Sequence, residues 1–299
     1  MTPRPILLFG REGQLGWELR RTLMGLGPLV APTRAEADFA APEGLRDLVA
    51  AARPSLIVNA AAYTDVERAE DEAALADRIN GDAPGVLADT AKRLGIPLVH
   101  FSTDYVFDGA KRTAYVEDDP TAPLSTYGRS KLRGETAIRA SGGAYLILRT
   151  GWVYSNRRRN FLRTMISLAA TRPTLAVVAD QQGAPTWARA IAEATAVILA
   201  RSWTAPAGLS VASGLYHLSA AGETSWHGFA AAIIAERHRR DSQSPTPPVT
   251  PLATADYPTK AARPAYSVLD NSALAHRFGV TLPDWREQLS LCLDERMVP

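Results

Sequence analysis

The sequence predicts an α/β fold, a doubly wound parallel sheet, and three observations carry that prediction. Short runs that are almost wholly apolar, such as Ile6-Leu7-Leu8-Phe9 and Leu56-Ile57-Val58, alternate with longer stretches of helical period. Strands of that composition belong in a sheet covered on both faces. A glycine-rich turn, Gly10-Arg11-Glu12-Gly13-Gln14-Leu15-Gly16, follows the first run directly and opens the first helical stretch. The right-handedness of parallel crossovers then leaves few other topologies for this order of elements.

Each element has its own signal. Residues 5–9 form the first strand; the run is too short for a signal-peptide core and ends on a glycine rather than a cleavage site. A helix over 15–26 leads to a strand near 28–31, and the Ala-rich stretch from Pro42 to Ala52 is a crossover helix that stops before Pro54. The strand 56–58, a helix over 72–94 and the strand 97–101 follow. The proline-bearing loop 119–123 precedes a helix over 126–141, and Tyr145-Leu146-Ile147-Leu148 is the next strand. After residue 150 the pieces shorten: an amphipathic stretch 160–170, a strand 174–178, a helix 187–200, a strand 215–218 and a helix 225–239. The polar, proline-rich segment 242–248 is a surface loop. The chain is therefore read as two regions, 1–150 and a smaller α/β region 151–299, with segments of the second free to return to the first sheet.

Composition narrows the function. The 299 residues hold 33 Lys+Arg against 31 Asp+Glu, a formal charge of +2, which gives no reason to expect a nucleic-acid partner. No window approaches a membrane span, since the Ala-rich stretch near 188–200 carries Arg189 and Glu193. A single cysteine, Cys292, lies in the apolar run 289–293 and reads as a buried structural thiol. A soluble protein of the reducing cytoplasm is the expectation.

The glycine turn has the context that a dinucleotide-binding fingerprint requires, between strand and helix, which makes the sheet Rossmann-type and region 1–150 an NAD(P)-binding domain. Gly10 permits the tight turn, Gly13 lets a pyrophosphate approach the backbone, and Gly16 allows close helix–strand packing; amide donors and the positive end of the following helix face the phosphates. Where an acid would hold the ribose of NAD, the second strand ends Val30-Ala31-Pro32-Thr33-Arg34. Thr33 and Arg34 suit a 2′-phosphate and favour NADPH, with NADH left open and Arg34 equally readable as a solvated surface residue. Asp38 and Phe39 come next and can meet the adenine. The small residues after strand 56–58, Asn59-Ala60-Ala61-Ala62, followed by Tyr63, let the backbone pass close to a cofactor.

A second constellation carries chemistry. Ser102-Thr103-Asp104 ends the strand 97–101, and Tyr127 and Lys131, four residues apart, share one face of the following helix. A tyrosine is a weak acid or base near neutrality unless a neighbouring ammonium favours its phenolate, and Lys131 supplies that charge. In a carbonyl reductase Tyr127 gives the proton to the developing alkoxide, Thr103 or Ser102 orients the same oxygen, and the nicotinamide gives hydride.

These motifs, with HFSTDYVFDG at 100–109, PLSTYGRSKLRGE at 123–135, LRTGWVY at 148–154, DQQGAPT at 180–186, GLYHLSAAGETSWHGFA at 214–230 and YPTKAARPAYSVLD at 257–270, resemble the dTDP-4-dehydrorhamnose reductases, extended short-chain reductases, over nearly the whole chain. The resemblance implies reduction of the C4 ketone of dTDP-4-dehydro-L-rhamnose by NADPH or NADH, in the synthesis of dTDP-rhamnose for lipopolysaccharide or cell-wall polysaccharide. It places Gly13, Gln14 and Leu15 at the pyrophosphate, Asp38 and Phe39 by the adenine, and Ala61, Ala62 and Tyr63 along the cofactor. Thr103, Tyr127 and Lys131 become the catalytic set, and Ser102, Thr103, Asp104, Tyr127 and Trp152 lie near the sugar, Trp152 being readable also as a core aromatic. Region 151–299 is then the nucleotide-sugar site, with Asn160, Gln182, Pro185, Thr186 and Arg263 as cleft candidates. Arg157-Arg158-Arg159 either meets the diphosphate or is a solvated charge run. Some relatives are dimers bridged by magnesium through glutamates; Glu18 and Glu295 resemble two such positions, but Arg189 stands where another carboxylate belongs, and a guanidinium cannot ligate a cation. No metal is expected, and a homodimer held by packing or by an Arg189 salt bridge stays open. The competing readings are another nucleotide-sugar reductase or epimerase and a non-catalytic NADP-binding subunit.

Overall fold

A computed structural model of the chain describes residues 4–203 and 208–295; the outermost residues of the two expected regions, 1–3 and 296–299, and residues 204–207 lie outside it. The elements run β1 (Ile6–Phe9), α1 (Gln14–Thr22), β2 (Leu29–Val30), α2 (Gly44–Ala52), β3 (Leu56–Asn59), α3 (Val66–Ala69), α4 (Ala73–Asp77), α5 (Ala83–Leu94), β4 (Leu98–Thr103), α6 (Thr126–Ser141) and β5 (Tyr145–Thr150). They continue with β6 (Val153–Tyr154), α7 (Phe161–Ala169), β7 (Leu175–Val178), β8 (Gln182–Gly183), β9 (Thr186–Trp187), α8 (Ala188–Ser202), β10 (Gly214–His217), β11 (Thr224–Ser225), α9 (Trp226–Arg240), β12 (Val249–Leu252), α10 (Ser272–Phe278) and α11 (Trp285–Asp294).

Six strands form one parallel sheet in the order β10-β5-β4-β3-β1-β2. Alternate residues of each strand feed two cores: Ile6, Leu8, Val58 and Leu148 pack under α1 and α8, whereas Leu7, Phe9, Ile57 and Ile147 pack under α2, α5 and α6. Burial on both faces is why these strands read as continuous apolar runs. The sixth strand, β10, and the covering helix α8 come from beyond residue 150, so the two expected regions share this sheet. A further core joins α7, α9 and α11 around Phe229, Trp285 and Cys292, the last fully buried.

The single helix expected over 72–94 is interrupted by a π-helical turn at Arg78–Asp82. Pro84 explains the break, because it has no N–H to donate back to the carbonyl of Asn80. That carbonyl faces Gly134 of α6, where a β-carbon would stand 2.1 Å from it. No described helix is long and apolar enough to cross a membrane.

Candidate active site

The strand order reverses between β1 and β3, and the crevice outside their C-terminal ends is where an open parallel sheet receives a ligand. Gly10 sits there with φ +81°, and a β-carbon on it would stand 2.5 Å from the backbone of Ala60. Gly16 is equally constrained: its β-carbon would lie 2.0 Å from the carbonyl oxygen of Gly10. Gly13, by contrast, has only that oxygen nearby, at 3.4 Å, and its backbone is open to the crevice. The three glycines thus bring β1, β3 and the α1 N-terminus together and leave one bare edge.

A cleft of about 450 Å³ begins at this edge. Gly10, Gly13, Thr33, Arg34, Asp38, Phe39, Ala61, Ala62 and Tyr63 all line it, so nine positions expected along a cofactor converge on one surface. Phe39 is 6% exposed and meets Phe9 edge-on, with ring centres 5.4 Å apart, so it also belongs to the core. Thr33 is committed locally: its amide and hydroxyl both donate to Glu36, at 2.6 and 2.8 Å. Arg34 and Arg11 are the cations at that end of the cleft.

Asn80 was missed by sequence reasoning. Its Oδ1 accepts from the Tyr63 amide at 2.8 Å, and its Nδ2 donates to the Tyr63 carbonyl and to Ser130 on α6, both at 3.0 Å. It therefore clamps the 60–63 segment against α6. The signal was present in Pro84, four residues on, which marks the break that turns Asn80 inward.

Gln14 and Leu15 open α1. The Gln14 Oε1 accepts from Ser155 at 2.8 Å and from Asn160 at 2.9 Å, which ties the helix N-terminus to the loop after β6. That loop carries Arg157, Arg158 and Arg159, and these line a second cleft of about 920 Å³ together with Arg11, Arg20 and Arg163. Arg157 lies over the Trp17 ring, 3.6 Å from its centre, and Arg158 donates to the Glu12 carbonyl at 2.9 Å.

At the end of β4, Thr103 donates to Asp104 at 3.0 Å and accepts from the Tyr105 amide at 3.2 Å, and it also meets the Tyr127 hydroxyl. Ser125 caps α6, accepting from the Gly128 amide at 3.1 Å, which sets Tyr127 and Lys131 over the strand ends. Burial pushes the Tyr127 phenol up to about 12 and Asp104 up to about 6. The same burial brings the Lys131 ammonium down to about 8. The Lys131 Nζ donates to the Phe101 carbonyl at 2.6 Å and lies 3.2 Å from His100 Nε2. Asp104 packs against Gly151, where any β-carbon would stand 2.6 Å from the carboxyl carbon.

Ser102, expected beside the sugar, is placed elsewhere. Its hydroxyl donates to Glu135, which also holds Arg149 through contacts of 2.9 and 2.7 Å, and all three are buried. The strand alternation turns its side chain away from the face that carries Thr103. Trp152 has φ +49° and stacks on Trp226 with ring centres 3.4 Å apart, while Gly183 leaves room for its indole. Trp226 is a second residue that sequence reasoning passed over, although GETSWHGFA contained it. Arg263 pairs with Glu67 at 2.7 Å and reaches the Tyr105 hydroxyl. Asn160 caps α7, and Thr186, fully buried, accepts from the Ala220 amide at 3.1 Å. Gln182 pairs β8 to β11.

The Glu18, Arg189 and Glu295 cluster does not fit a bridging magnesium ion. Arg189 donates to Glu193 at 2.8 Å and to Glu295, so one of the two candidate carboxylates is already matched by a guanidinium, which stands where a further ligand would be needed. Burial and the neighbouring Glu295 push the Glu18 carboxyl up, while Arg21, Arg189 and Arg157 act against that rise.

Comparison with known proteins agrees with this geometry. Residues 4–298 match the family model described as the RmlD substrate binding domain. A dTDP-4-dehydrorhamnose reductase of Burkholderia thailandensis is 51% identical over 290 residues, covering 96% of this chain and 97% of that protein. One from Escherichia coli K12 is 41% identical over 294 residues, covering 97% of each. The crystal structure of a dTDP-4-dehydrorhamnose reductase from Bacillus anthracis in complex with NADP superposes with a TM-score of 0.90 at 31% identity, covering 99% of this chain and all of that one.

Proposed function

The chain belongs to the RmlD family of dTDP-4-dehydrorhamnose reductases, and from that premise we propose how its own residues carry the reaction. It is an NAD(P)H-dependent oxidoreductase that reduces the C4 ketone of dTDP-4-dehydro-β-L-rhamnose to dTDP-β-L-rhamnose. The observation that carries the assignment of roles is the meeting of Tyr127, Thr103 and Lys131 at the end of β4, one strand away from the glycine crevice.

The cleft fits a dinucleotide: a bare backbone edge at Gly13, a helix N-terminus behind it, and alanines at 60–62 that leave the space above them open. When bound, the nicotinamide supplies the hydride. Gly10, Gly13, Gly16, Gln14 and Leu15 present the α1 N-terminus to the pyrophosphate, and Asp38, Phe39, Ala61, Ala62 and Tyr63 bound the rest of the cleft. Tyr127 donates its proton to the ketone oxygen as that oxygen gains charge, and Thr103 hydrogen-bonds at the same point. Lys131 in its charged form lowers the energy of the phenolate left behind. Asp104, Trp152 and Trp226 bound the sugar; Ser102, held by Glu135, acts in the scaffold. NADPH is the preferred cofactor, because the end of the cleft near β2 offers Arg34 and Arg11 while the Thr33 hydroxyl is occupied by Glu36. The Arg157–Arg159 rim serves the phosphates of cofactor or substrate.

The test follows loss of nicotinamide absorbance with dTDP-4-dehydro-L-rhamnose, beside the same assay on its dTDP-4-dehydro-6-deoxyglucose precursor. Oxidation with the first sugar and formation of dTDP-L-rhamnose is the expected result; turnover of the precursor alone would assign a different ketone. Running NADPH and NADH in parallel, with Arg34→Ala, decides the cofactor: a preference for NADPH that the variant loses supports the arginine reading, and equal use of both by the parent chain removes it.

A further inference from the structure

Beneath the catalytic helix lies a buried chain of three polar side chains whose hydrogen-bond roles can be settled by elimination. Asn59, His100 and Lys131 are 1%, 0% and 2% exposed. Asn59 Oδ1 accepts from the Ala61 amide at 3.0 Å, a donor that cannot be reversed, so the Asn59 amide is fixed with Nδ2 toward His100 Nδ1 at 3.1 Å. Nδ2 can only donate. His100 Nδ1 must therefore accept with its lone pair, and the ring proton of the neutral imidazole must sit on Nε2. That Nε2–H points at Lys131 Nζ, 3.2 Å away.

An ammonium has no lone pair with which to accept this bond, whereas a neutral amine has one. The amine also keeps an N–H for the Phe101 carbonyl at 2.6 Å. The alternative, a protonated His100, is opposed by complete burial and by Lys131 itself, both of which hold its pKa well below the usual histidine range. We propose that Asn59 and His100 are positioning residues that favour the neutral amine of Lys131 in the free protein, so that this side chain takes up one proton from solvent as NAD(P)H binds. The proton balance is simple: the amine and one solvent proton give the ammonium, His100 stays neutral, and the charged Nζ turns away from Nε2–H toward the open cleft.

Among the surrounding charges only Glu135 favours the ammonium, against the larger effect of burial. Glu135, one helical turn beyond Lys131, is the nearest carboxylate, but it is already matched by Arg149 from β5 and by Ser102 from β4. Tyr127, one turn before, is an uncharged phenol, and β3 contributes only the neutral Asn59. Burial keeps Lys131 at about 8 instead of the usual 10.5, which opens a window above neutrality in which free and bound states differ in charge. Above about pH 8 the device makes the group that activates Tyr127 conditional on an occupied cleft.

This inference rests on the cofactor reading above, so the test separates the two. The 15N shifts of the His100 ring, measured on the free protein at about pH 9, should report a lone-pair Nδ1 and a protonated Nε2; the opposite tautomer would overturn the proposal without reference to any ligand. Calorimetric titration of NADPH at about pH 9 in two buffers of different ionisation heat should show uptake approaching about one proton per site, falling towards zero near pH 7. Binding with no proton uptake at the higher pH overturns the device, and no binding at all overturns the cofactor reading while the ring tautomer still decides the device. In Asn59→Asp a carboxylate accepts at Nδ1, the ring proton moves there, and Nε2 becomes an acceptor for the ammonium. Uptake should then drop severalfold with binding retained, and undiminished uptake would remove Asn59 from the argument. A variant that fails to fold leaves the decision to the two wild-type measurements.

Discussion

The buried floor of the candidate site, at the end of β4, and the arginine loop at the rim of the second cleft are held by different physics. On the floor, around Thr103, Asp104 and Lys131, side chains are buried and their partners come from neighbouring parallel strands and α6, so each position is fixed by the sheet. At the rim, Arg157, Arg158 and Arg159 stand on a loop, partly or fully exposed, and their contacts are a ring face and a backbone carbonyl. Buried charge is held to one geometry because every alternative leaves it unpaired, whereas an exposed guanidinium is satisfied by water in many positions. The floor therefore suits chemistry that needs fixed distances, and the rim suits attraction of mobile anions.

The sharpest way to break this contrast is at Glu135. Glu135→Ala leaves Arg149 buried without its carboxylate, and denaturant unfolding should show a loss of about 3–5 kcal/mol; a loss under about 1 kcal/mol would mean the floor is not held by that pair. Tyr127→Phe should lower turnover about 10²-fold or more while cofactor affinity measured by titration stays within about twofold. Equal turnover would take the proton donor away from α6.

Asp104 gives a pH-dependent comparison. Its folded pKa is raised from 3.8 to about 6 by burial, so the folded protein binds this proton more tightly than the unfolded chain does. The stability it contributes is present below about pH 4 and is lost as the pH rises through about 6. Asp104→Asn should therefore gain about 2–3 kcal/mol at pH 7, lose the slope between those pH values, and raise KM for the sugar. Melting curves across that range check the sign; a variant less stable than its parent at pH 7 would contradict it. The smallest effect belongs to the rim, where Arg159→Ala should change stability by no more than about 0.5 kcal/mol and make kcat/KM less sensitive to salt. A stability loss comparable to that of Glu135→Ala would erase the distinction between floor and rim.

The same contrast governs what could be read from the chain. The glycine turn and Tyr127–Lys131 were legible because their spacing is imposed by local geometry, a strand-to-helix turn and one helical turn. The doubly wound parallel sheet was legible from apolar runs buried on two faces, though not its strand order. The Glu135 contact of Ser102 was not legible, because whether a strand-end hydroxyl faces cleft or helix depends on Glu135 and Arg149, which are far away in sequence. Asn80 and His100 were invisible for a related reason: each acts through a partner brought in by packing, and nothing local distinguishes them from ordinary polar residues. Trp226 is in the same position, since only the fold sets it against Trp152. The π-helical turn is the exception, foreshadowed by Pro84 and overlooked.

The return of β10 to the far edge of the sheet, with α8 across its face, bears on how such a protein can be rearranged. A chain cut after β5 would carry an unpaired strand edge and an uncovered apolar face at Val58, Leu146 and Leu148. Such a fragment has every strand that bears the proposed catalytic groups, yet it would associate with itself through that edge before it could bind anything. Exchange of specificity between relatives by swapping the chain beyond β5 as one block would also replace part of the sheet that seats Tyr127. Recombination that preserves function must therefore follow the loops proposed to face the sugar, moving the segments around Trp152 and Trp226 and leaving α8 and β10 behind.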